Sequence, residues 1–160
     1  MKKSITYFGF IGFTWLLANM LMLQTARAQD AADEVRAVND AFYEAFSQRD
    51  MVKMEQVWSH EPYVRTIGPS GRGILSGWDA VKENWSGVFE TFNPITIAME
   101  NADIRVGPQV AWVVGQEIFE GVMEGDKKIS TTVFATNVFE NVNGQWLMVH
   151  HHGTRAAAPE

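Results

Sequence analysis

Three consecutive histidines near the end of the chain, His150, His151 and His152, have the clearest capacity for chemistry. An imidazole with a pKa of about 6.5 can exchange a proton near neutrality, and it can also ligate a metal ion. The alternating apolar stretch "QWLMV" directly before them predicts a β-strand. Because successive side chains of a strand point to opposite faces, the three cannot form one cluster. His150 and His152 share one face, and His151 lies on the other.

The pairing of this strand with the preceding one decides which face points inward. Asn143-Gly144 is the strongest two-residue hairpin signal in the chain. The register set by that turn places Asn137 opposite His150. One face of the hairpin then has the composition of a pocket wall, apolar with a few polar groups: Asn137, Phe139, Trp146, Met148, His150 and His152. We therefore expect this face to line a cavity and His151 to lie outside it.

Three roles are open for His150 and His152. They can be structural, with hydrogen bonds to neighbouring strands or to Thr154. They can anchor a small ligand, with or without acid–base catalysis. They can bind zinc or copper, but the fold would then have to supply a third ligand, such as His60 or Glu117. As site residues we name His150 and His152 the catalytic candidates, and we expect neither a metal nor a cofactor.

Helical patterns precede the strands and must position this site. An apolar stripe from Val35 to Phe46 has helical spacing, and Asp50 starts a second, short helix. A third helix runs from about Trp78 to Phe92. After it the apolar period falls to two and predicts four strands, the first of them broken near Asn101, joined by turns short enough to make neighbours antiparallel. Helices followed by a long-stranded antiparallel sheet indicate an α+β fold.

Further binding candidates lie before the third helix and among the tryptophans. We expect Arg65 near the cavity mouth, where a guanidinium can clamp a carboxylate or polarise a carbonyl; the alternative is a solvated strand residue. Trp85 and Trp112 are the tryptophans expected to border the cavity, although tryptophans more often belong to a core. The sequence therefore predicts these ligand-binding residues: Tyr63, Arg65, Trp85, Trp112, Asn137, Trp146 and Met148.

Four segments resemble a known family: "VWSHEPYVRTIGPSG", "GWDAVKENWSGVFETF", "VAWVVGQE" and "ATNVFENVNGQWLMVHHHGT". With the order of the elements, they resemble the SnoaL-like branch of the NTF2-like superfamily. The last segment is the most specific, since G-x-W-x-x-V-H-x-H is followed by the hydroxyl of Thr154. The resemblance implies a cone-shaped α+β fold, with three N-terminal helices packed on a curved antiparallel sheet, and usually a homodimer joined through that sheet.

The resemblance does not imply one activity, because relatives include ketosteroid isomerases, polyketide cyclases and the association domain of the calcium/calmodulin-dependent kinase. A ketosteroid-isomerase site needs a carboxylate base and an oxyanion hole made of a tyrosine and a protonated acid. The sequence does not place that set, for which Tyr43, Asp103 and Glu117 are the residues to consider. We expect either a small-molecule-binding protein with lyase- or isomerase-type acid–base chemistry, or a non-catalytic ligand-binding or accessory homodimerisation module.

The first 28 residues have the pattern of a bacterial secretory signal peptide. Two lysines precede an apolar run at about positions 5–23, and Ala26 and Ala28 form a small-x-small cleavage pattern. The alternative is an uncleaved membrane anchor. We expect cleavage after Ala28, a periplasmic or secreted protein with no membrane contact afterwards, a SnoaL-like domain at 29–154 and a flexible tail at 155–160.

The composition and charge of the chain limit its number of domains and the partners it can bind. A chain of 160 residues with 46% hydrophobic residues predicts one packed domain. The formal net charge is −6, and the part after Ala28 is more acidic still because Lys2, Lys3 and Arg27 precede its start. An acidic surface repels phosphate backbones, so we do not expect nucleic-acid binding. The chain has no cysteine, so stability must come from the core and from the expected subunit interface.

Overall fold

The structure, a computed structural model, describes the backbone of residues 10–71 and 73–157 and, within the first helix, the side chains of Met22 and of residues from 27 onward. In this part of the chain helices pack on one face of a sheet. The helices are α1 (Phe10–Gln48), α2 (Met51–Val57) and α3 (Trp78–Thr91). The strands are β1 (Arg65–Ile67), β2 (Leu75–Ser76), β3 (Ile95–Val106), β4 (Val110–Met123), β5 (Lys127–Val142) and β6 (Gln145–Arg155).

The expected signal peptide lies partly outside the described residues, which begin at Phe10. From Phe10 the backbone of α1 continues as one helix through Ala28 to Gln48. The buried side chains of this helix begin at Val35. Among the described residues, no helix is both long enough and apolar enough to cross a membrane.

The strand order is β2-β1-β6-β5-β4-β3, which confirms the α+β architecture. The four long strands form an antiparallel meander, as the short turns predict. β1, however, runs parallel to β6, with Arg65 beside His150, so the sheet is mixed rather than wholly antiparallel. β1 has only three residues and its partner lies far along the chain, so no local pattern could indicate this pairing.

Local signals explain the helices. The carboxylate of Asp50 accepts hydrogen bonds from the backbone N–H groups of Val52 and Lys53 at 2.9 and 3.1 Å, so it caps α2 as its position predicts. α1 and α3 bury apolar stripes against the sheet, and the rings of Phe46 and Trp85 meet edge to face at 5.0 Å between centroids. Full burial of one such side chain contributes about 2–3 kcal/mol, so these rings form the centre of the core.

The β5–β6 hairpin turns where the sequence predicts it. Asn143 and Gly144 both have positive φ angles, 55° and 90°, as a two-residue hairpin turn requires. Next to the turn, Phe139 pairs with Met148 in the expected register. The register then shifts, because Val149 is an extra residue that has no partner on β5. This bulge reverses the alternation of every later residue on β6.

Candidate functional site

His151, rather than its neighbours, points into the domain. After the bulge Asn137 pairs with His151, whose side chain is 2% exposed. His150 and His152 are half-buried on the outer face of the sheet, where their partners are Val138 and Thr136. The prediction that His150 and His152 face a cavity is therefore wrong, because the extra residue at position 149 shifts the strand by one.

Three predicted binding residues also lie on the outside. Trp112 is 45% exposed on the outer face of β4. Tyr63 is 47% exposed, and its hydroxyl donates to Glu140 Oε2 at 2.6 Å. Arg65 is half-buried, and its Nη1 donates to two backbone carbonyls at 3.0 and 2.8 Å. The expectation that Trp112 borders an internal cavity is wrong, because strand alternation turns it to the outer face. Arg65 and Tyr63, expected near a cavity mouth, lie at the surface, and Tyr63 lines a surface cleft.

Four predicted residues do point inward: Asn137, Trp85, Trp146 and Met148 are all at most 4% exposed. Trp146 and Met148 precede the bulge, so the predicted register holds for them. Trp85 packs on Phe42 and Phe46 as part of the core. The inward orientation of the four is confirmed, and their role in binding remains a prediction.

Asn137 is the centre of a buried hydrogen-bond network. Its Nδ2 donates to Asn39 Oδ1 at 2.9 Å and to the hydroxyl oxygen of Tyr43 at 3.0 Å. Its Oδ1 accepts a hydrogen bond from Nδ1–H of His151 at 2.8 Å. The Tyr43 hydroxyl in turn donates to Glu117 Oε1 at 2.9 Å. All five residues are at most 5% exposed, and we refer to them as the buried network.

One helix and three adjacent strands bring the buried network together. Asn39 and Tyr43 are one helical turn apart on the face of α1 that packs on the sheet. Glu117, Asn137 and His151 lie on three adjacent strands, β4, β5 and β6, and all three side chains point to the inner face. The network therefore crosses the interface between helix and sheet and uses polar groups from four elements.

The hydrogen bonds of Asn137 fix the tautomer of His151. Nδ2 of Asn137 donates to Asn39 and Tyr43, so Oδ1 is the atom that faces His151. An amide oxygen can only accept, and Nδ1 of His151 must therefore carry the proton. Burial, and then the charges of His150 and His152, lower the pKa of His151 to about 3. The ring is therefore neutral near pH 7, and its lone pair is on Nε2.

Glu117 is the titratable group of the network that changes charge near neutrality. Burial raises its pKa from 4.5 to about 7, and the hydrogen bond from Tyr43 opposes that shift. Burial and the nearby Glu117 carboxylate raise the pKa of Tyr43, so the phenol remains a donor. Glu117 Oε1 also lies 3.9 Å from Nδ1 of His151. A carboxyl group with a pKa near the working pH is suited to general acid–base chemistry.

Most of this network is not predicted from the sequence. The sequence offers Tyr43 and Glu117 as members of a set that it does not place, and Glu117 also as a possible metal ligand. The expectation that His151 lies outside is wrong. Two signals were available: Glu117 alternates with Val113 and Phe119 on one face of a strand, and Tyr43 lies beside an apolar helical stripe. No local signal indicates that Tyr43 and Glu117, which are 74 residues apart in the sequence, form a hydrogen bond of 2.9 Å.

Two clefts open on the surface beside the β5–β6 hairpin. One, of about 370 Å³, lies between α1, α2 and the start of β6 and includes Val57 and Trp146. The other, of about 380 Å³, lies between the end of α2 and the hairpin and includes Trp58 and His60. Neither is lined by a residue of the buried network. The rings of Phe42 and Trp85 pack on His151, with centroids 5.3 and 5.5 Å from that of the imidazole.

The described residues contain no group of three histidine, aspartate or glutamate side chains placed to hold a metal ion. His150 and His152 have ring centroids 6.3 Å apart, and no acidic residue joins them in such a group within residues 10–71 and 73–157.

A sequence model of the SnoaL-like domain family matches residues 35–158. The chain belongs to the SnoaL-like family. This SnoaL-like domain is also 30% identical over 118 residues to the F-box protein SKIP8 of Arabidopsis thaliana. The match covers 74% of this chain and 48% of that protein, so the chain spans about half the length of this relative.

Solved structures show the same fold. A proposed dehydratase of the NTF2-like family from Streptomyces avermitilis superimposes with a TM-score of 0.74 at 22% identity, covering 82% of this chain and 99% of that one. A proposed calcium/calmodulin-dependent protein kinase type II association domain from Thiobacillus denitrificans gives a TM-score of 0.66 at 26% identity, covering 76% and 94%. The SnoaL-like domain thus has the NTF2-like fold that the sequence resemblance implies.

Proposed function

We propose that this SnoaL-like domain binds a small, largely apolar molecule between its helices and its sheet and performs lyase- or isomerase-type acid–base chemistry on it. The observation that supports the proposal is Glu117, a buried carboxyl with a pKa raised to about 7 and a hydrogen bond from Tyr43. The base in this proposal is Glu117 rather than His150 or His152, which lie on the outer face of the sheet. The SnoaL-like fold supports a ligand-binding or isomerase-type domain, and one fold neighbour is a proposed dehydratase.

Glu117 and Asn137 have different roles in this chemistry. Ionised Glu117 takes a proton from a carbon or oxygen of the ligand, and the electron pair stays on the ligand until a second proton transfer completes the reaction. Asn137 holds the Tyr43 hydroxyl and the imidazole of His151 in fixed orientations. Fixed donors in a water-poor site stabilise developing charge more strongly than water does, because they need no reorganisation.

A simple probe tests the base directly. 5-Nitrobenzisoxazole opens its ring when a base removes its C–H proton. We expect the wild-type protein to accelerate this reaction, with a rate that rises as pH passes about 7, where Glu117 ionises. Glu117→Gln should lower the rate about a hundredfold, the contribution typical of a positioned base. The matched control is Glu120→Gln, on the exposed face of the same strand. Equal rates for wild type and Glu117→Gln would contradict the proposal.

A second candidate function, a homodimerisation module, is favoured by the outer face of the sheet. Trp112, Val114 and Phe134 are 45, 44 and 53% exposed on adjacent strands β4 and β5. At the edge of this patch Arg105 and Asp103 form an exposed ion pair with a 3.3 Å separation. A two-fold axis would place the same patch of a second copy on this one, so that apolar residues contact apolar residues. At the rim, the arginine and the aspartate of each copy could then pair with the opposite charge of the other copy. We propose a second copy of the chain as the occupant of this face.

Trp112→Glu should therefore weaken the dimer. Placing a carboxylate at an apolar interface centre costs about 2 kcal/mol or more, equivalent to about a thirtyfold higher dissociation constant. Sedimentation velocity over a concentration series measures this constant. Val52→Glu is the control, because Val52 is 68% exposed on α2, away from the sheet. A wild-type protein that remains monomeric at all concentrations would refute the dimer.

We also propose export with cleavage after Ala28. Removal of residues 1–28 leaves every buried side chain described in α1, since these begin at Val35. The intact mass of the protein recovered outside the cytoplasm should then correspond to an N-terminus at Gln29. A full-length mass in the membrane fraction would instead indicate a retained anchor.

A further inference from the structure

His150 and His152 extend the apolar patch on the outer face of the sheet. Across β4, β5 and β6, Trp112 pairs with Val138, which in turn pairs with His150. In the next row along the strands, Val114 is joined to His152 through one residue of β5 in the same way. Neighbouring strands are about 4.8 Å apart, so each histidine lies about 10 Å from the apolar β4 residue of its row. The two histidines therefore border the surface on which we place the second copy.

The two imidazoles form a close pair. Both side chains are half-buried, and their ring centroids are 6.3 Å apart. Nε2 of His152 and the hydroxyl of Thr154 are hydrogen-bonded at 3.2 Å. Burial, and then the charge of His152, lower the pKa of His150, while a hydrogen bond to the backbone of Arg65 opposes that shift. A proton on both rings places two like charges on a surface that is already partly shielded from water.

The charged neighbours of the pair on β1 and β5 add to this repulsion. Arg65 is the partner of His150 between β1 and β6, and its guanidinium is always charged. The residues of β4 and β5 in the two rows are uncharged. Further along the outer face of β5, Glu140 accepts a hydrogen bond from the hydroxyl of Tyr63 at 2.6 Å. Acid pH therefore adds positive charge beside an arginine.

The charged groups on β6 and β3 do not neutralise a protonated pair. On β6, His151 lies between the two histidines but on the inner face, and its lowered pKa of about 3 keeps it neutral. Arg155, at the end of the same strand, is positive. On β3, Asp103 stands opposite Val114 but forms an ion pair with Arg105 at 3.3 Å. A protonated pair thus depends on water for its stabilisation.

The pair is the place on the outer face where a change from about pH 8 to about pH 5 alters the charge. Histidine has an ordinary pKa inside this interval, whereas exposed carboxyls stay ionised throughout it. The chain has four histidines, of which His151 is buried and neutral. His60 follows α2 and stacks on Trp78 of α3, outside the two rows. The remaining two are His150 and His152.

We propose that His150 and His152 make the homodimer pH-sensitive, so that the outer faces associate near pH 8 and separate near pH 5 on protonation of the pair. The inference rests on the second proposed function, the homodimer, and adds the regulation of that same surface. A second copy removes water from the half-buried rings, which disfavours their charged form. A two-fold axis also brings the pairs of both copies to one interface. Because linkage is reciprocal, protonation then weakens the dimer.

Sedimentation velocity of the full-length protein over a concentration series, at about pH 8 and about pH 5 and constant salt, tests the inference. The wild-type dissociation constant should be about 25-fold higher at the lower pH, about fivefold for each of two imidazoles, one per copy, that lose a proton on association. The double variant His150→Gln, His152→Gln should change by less than about threefold, because glutamine stays neutral. His60→Gln is the matched control and should keep the wild-type pH dependence.

The possible outcomes separate the inference from the dimer itself. A wild-type dimer that is equally tight at both pH values, or tighter near pH 5, would overturn the inference and leave the dimer standing. A wild-type protein that is monomeric at both pH values would refute the dimer and the inference together. A double variant with the wild-type pH dependence would assign the effect to other groups and also overturn the inference.

A second measurement decides the matter if the double variant does not dimerise at all. Histidine ring signals are followed by NMR as a function of pH and assigned with the single variants His150→Gln and His152→Gln. Their midpoints should lie lower in dimeric wild type than in Trp112→Ser, which removes the central apolar side chain of the patch without adding a charge. Equal midpoints in the dimeric and monomeric proteins would overturn the inference.

Discussion

The free energy of unfolding of Glu117→Gln minus that of wild type is expected to be larger at about pH 8 than at about pH 5. The expected increase in this difference is about 3 kcal/mol. Folding raises the pKa of Glu117 from 4.5 to about 7, so over this interval the folded state holds a proton that the unfolded state has lost. The stability supplied by the protonated carboxyl is complete below about pH 4.5 and is lost as pH rises through about 7. Glutamine keeps the shape of the protonated acid and does not ionise.

Urea unfolding curves of both proteins at the two pH values measure this effect. The lowered pKa of His151 acts in the opposite direction: its contribution is present above about pH 6.5 and is lost as pH falls towards 3. This contribution is common to both proteins and cancels in their difference. Glu120→Gln provides the control, since its side chain is exposed on the same strand. If the difference in free energy of unfolding between Glu117→Gln and wild type does not change with pH, the raised pKa of Glu117 is contradicted.

Asn137→Leu is expected to reduce the free energy of unfolding by about 4 kcal/mol. Leucine is similar in size but leaves three buried groups without their partner: Asn39 Oδ1, the Tyr43 hydroxyl oxygen and Nδ1–H of His151. Each unsatisfied buried group costs about 1–3 kcal/mol, partly offset by the better transfer of leucine out of water.

The same unfolding assay tests this prediction. Thr136→Val, at the neighbouring position on the outer face of β5, should change stability by at most about 0.5 kcal/mol. A loss below about 1 kcal/mol for Asn137→Leu would show that Asn137 does not organise the network.

Much of the fold follows from local sequence patterns. Asp50 caps α2, Asn143-Gly144 closes the hairpin, and the irregularity near Asn101 occurs in β3, where the register shifts between Glu100 and Asp103. Each of these depends on a few neighbouring residues whose conformational preferences are strong. The parallel contact of β1 with β6 depends on the whole topology, and nothing in the three residues of β1 indicates it.

The site shows how one residue can reverse an interpretation. Val149 is apolar and fits either face of a strand, so no local signal marks it as a bulge. If side chains alternated regularly through Val149, His150 and His152 would point inward. The bulge shifts the alternation by one residue, so that His151 points inward instead. Asn137 lies on β5, on the unbulged partner, and its inward orientation is confirmed. The partners of Asn137 come from α1 and β6, and their convergence could be known only from the three-dimensional structure.

The titration of the Glu117 carboxyl tests the account most directly. In protein labelled with 13C at glutamate side chains, the carboxyl carbon signal that disappears in Glu117→Gln identifies this residue. We expect a midpoint near pH 7 for that signal. A midpoint at or below 4.5, the ordinary value for glutamate, would show that the carboxyl is permanently ionised near neutrality and does not hold the proton on which the proposed chemistry depends.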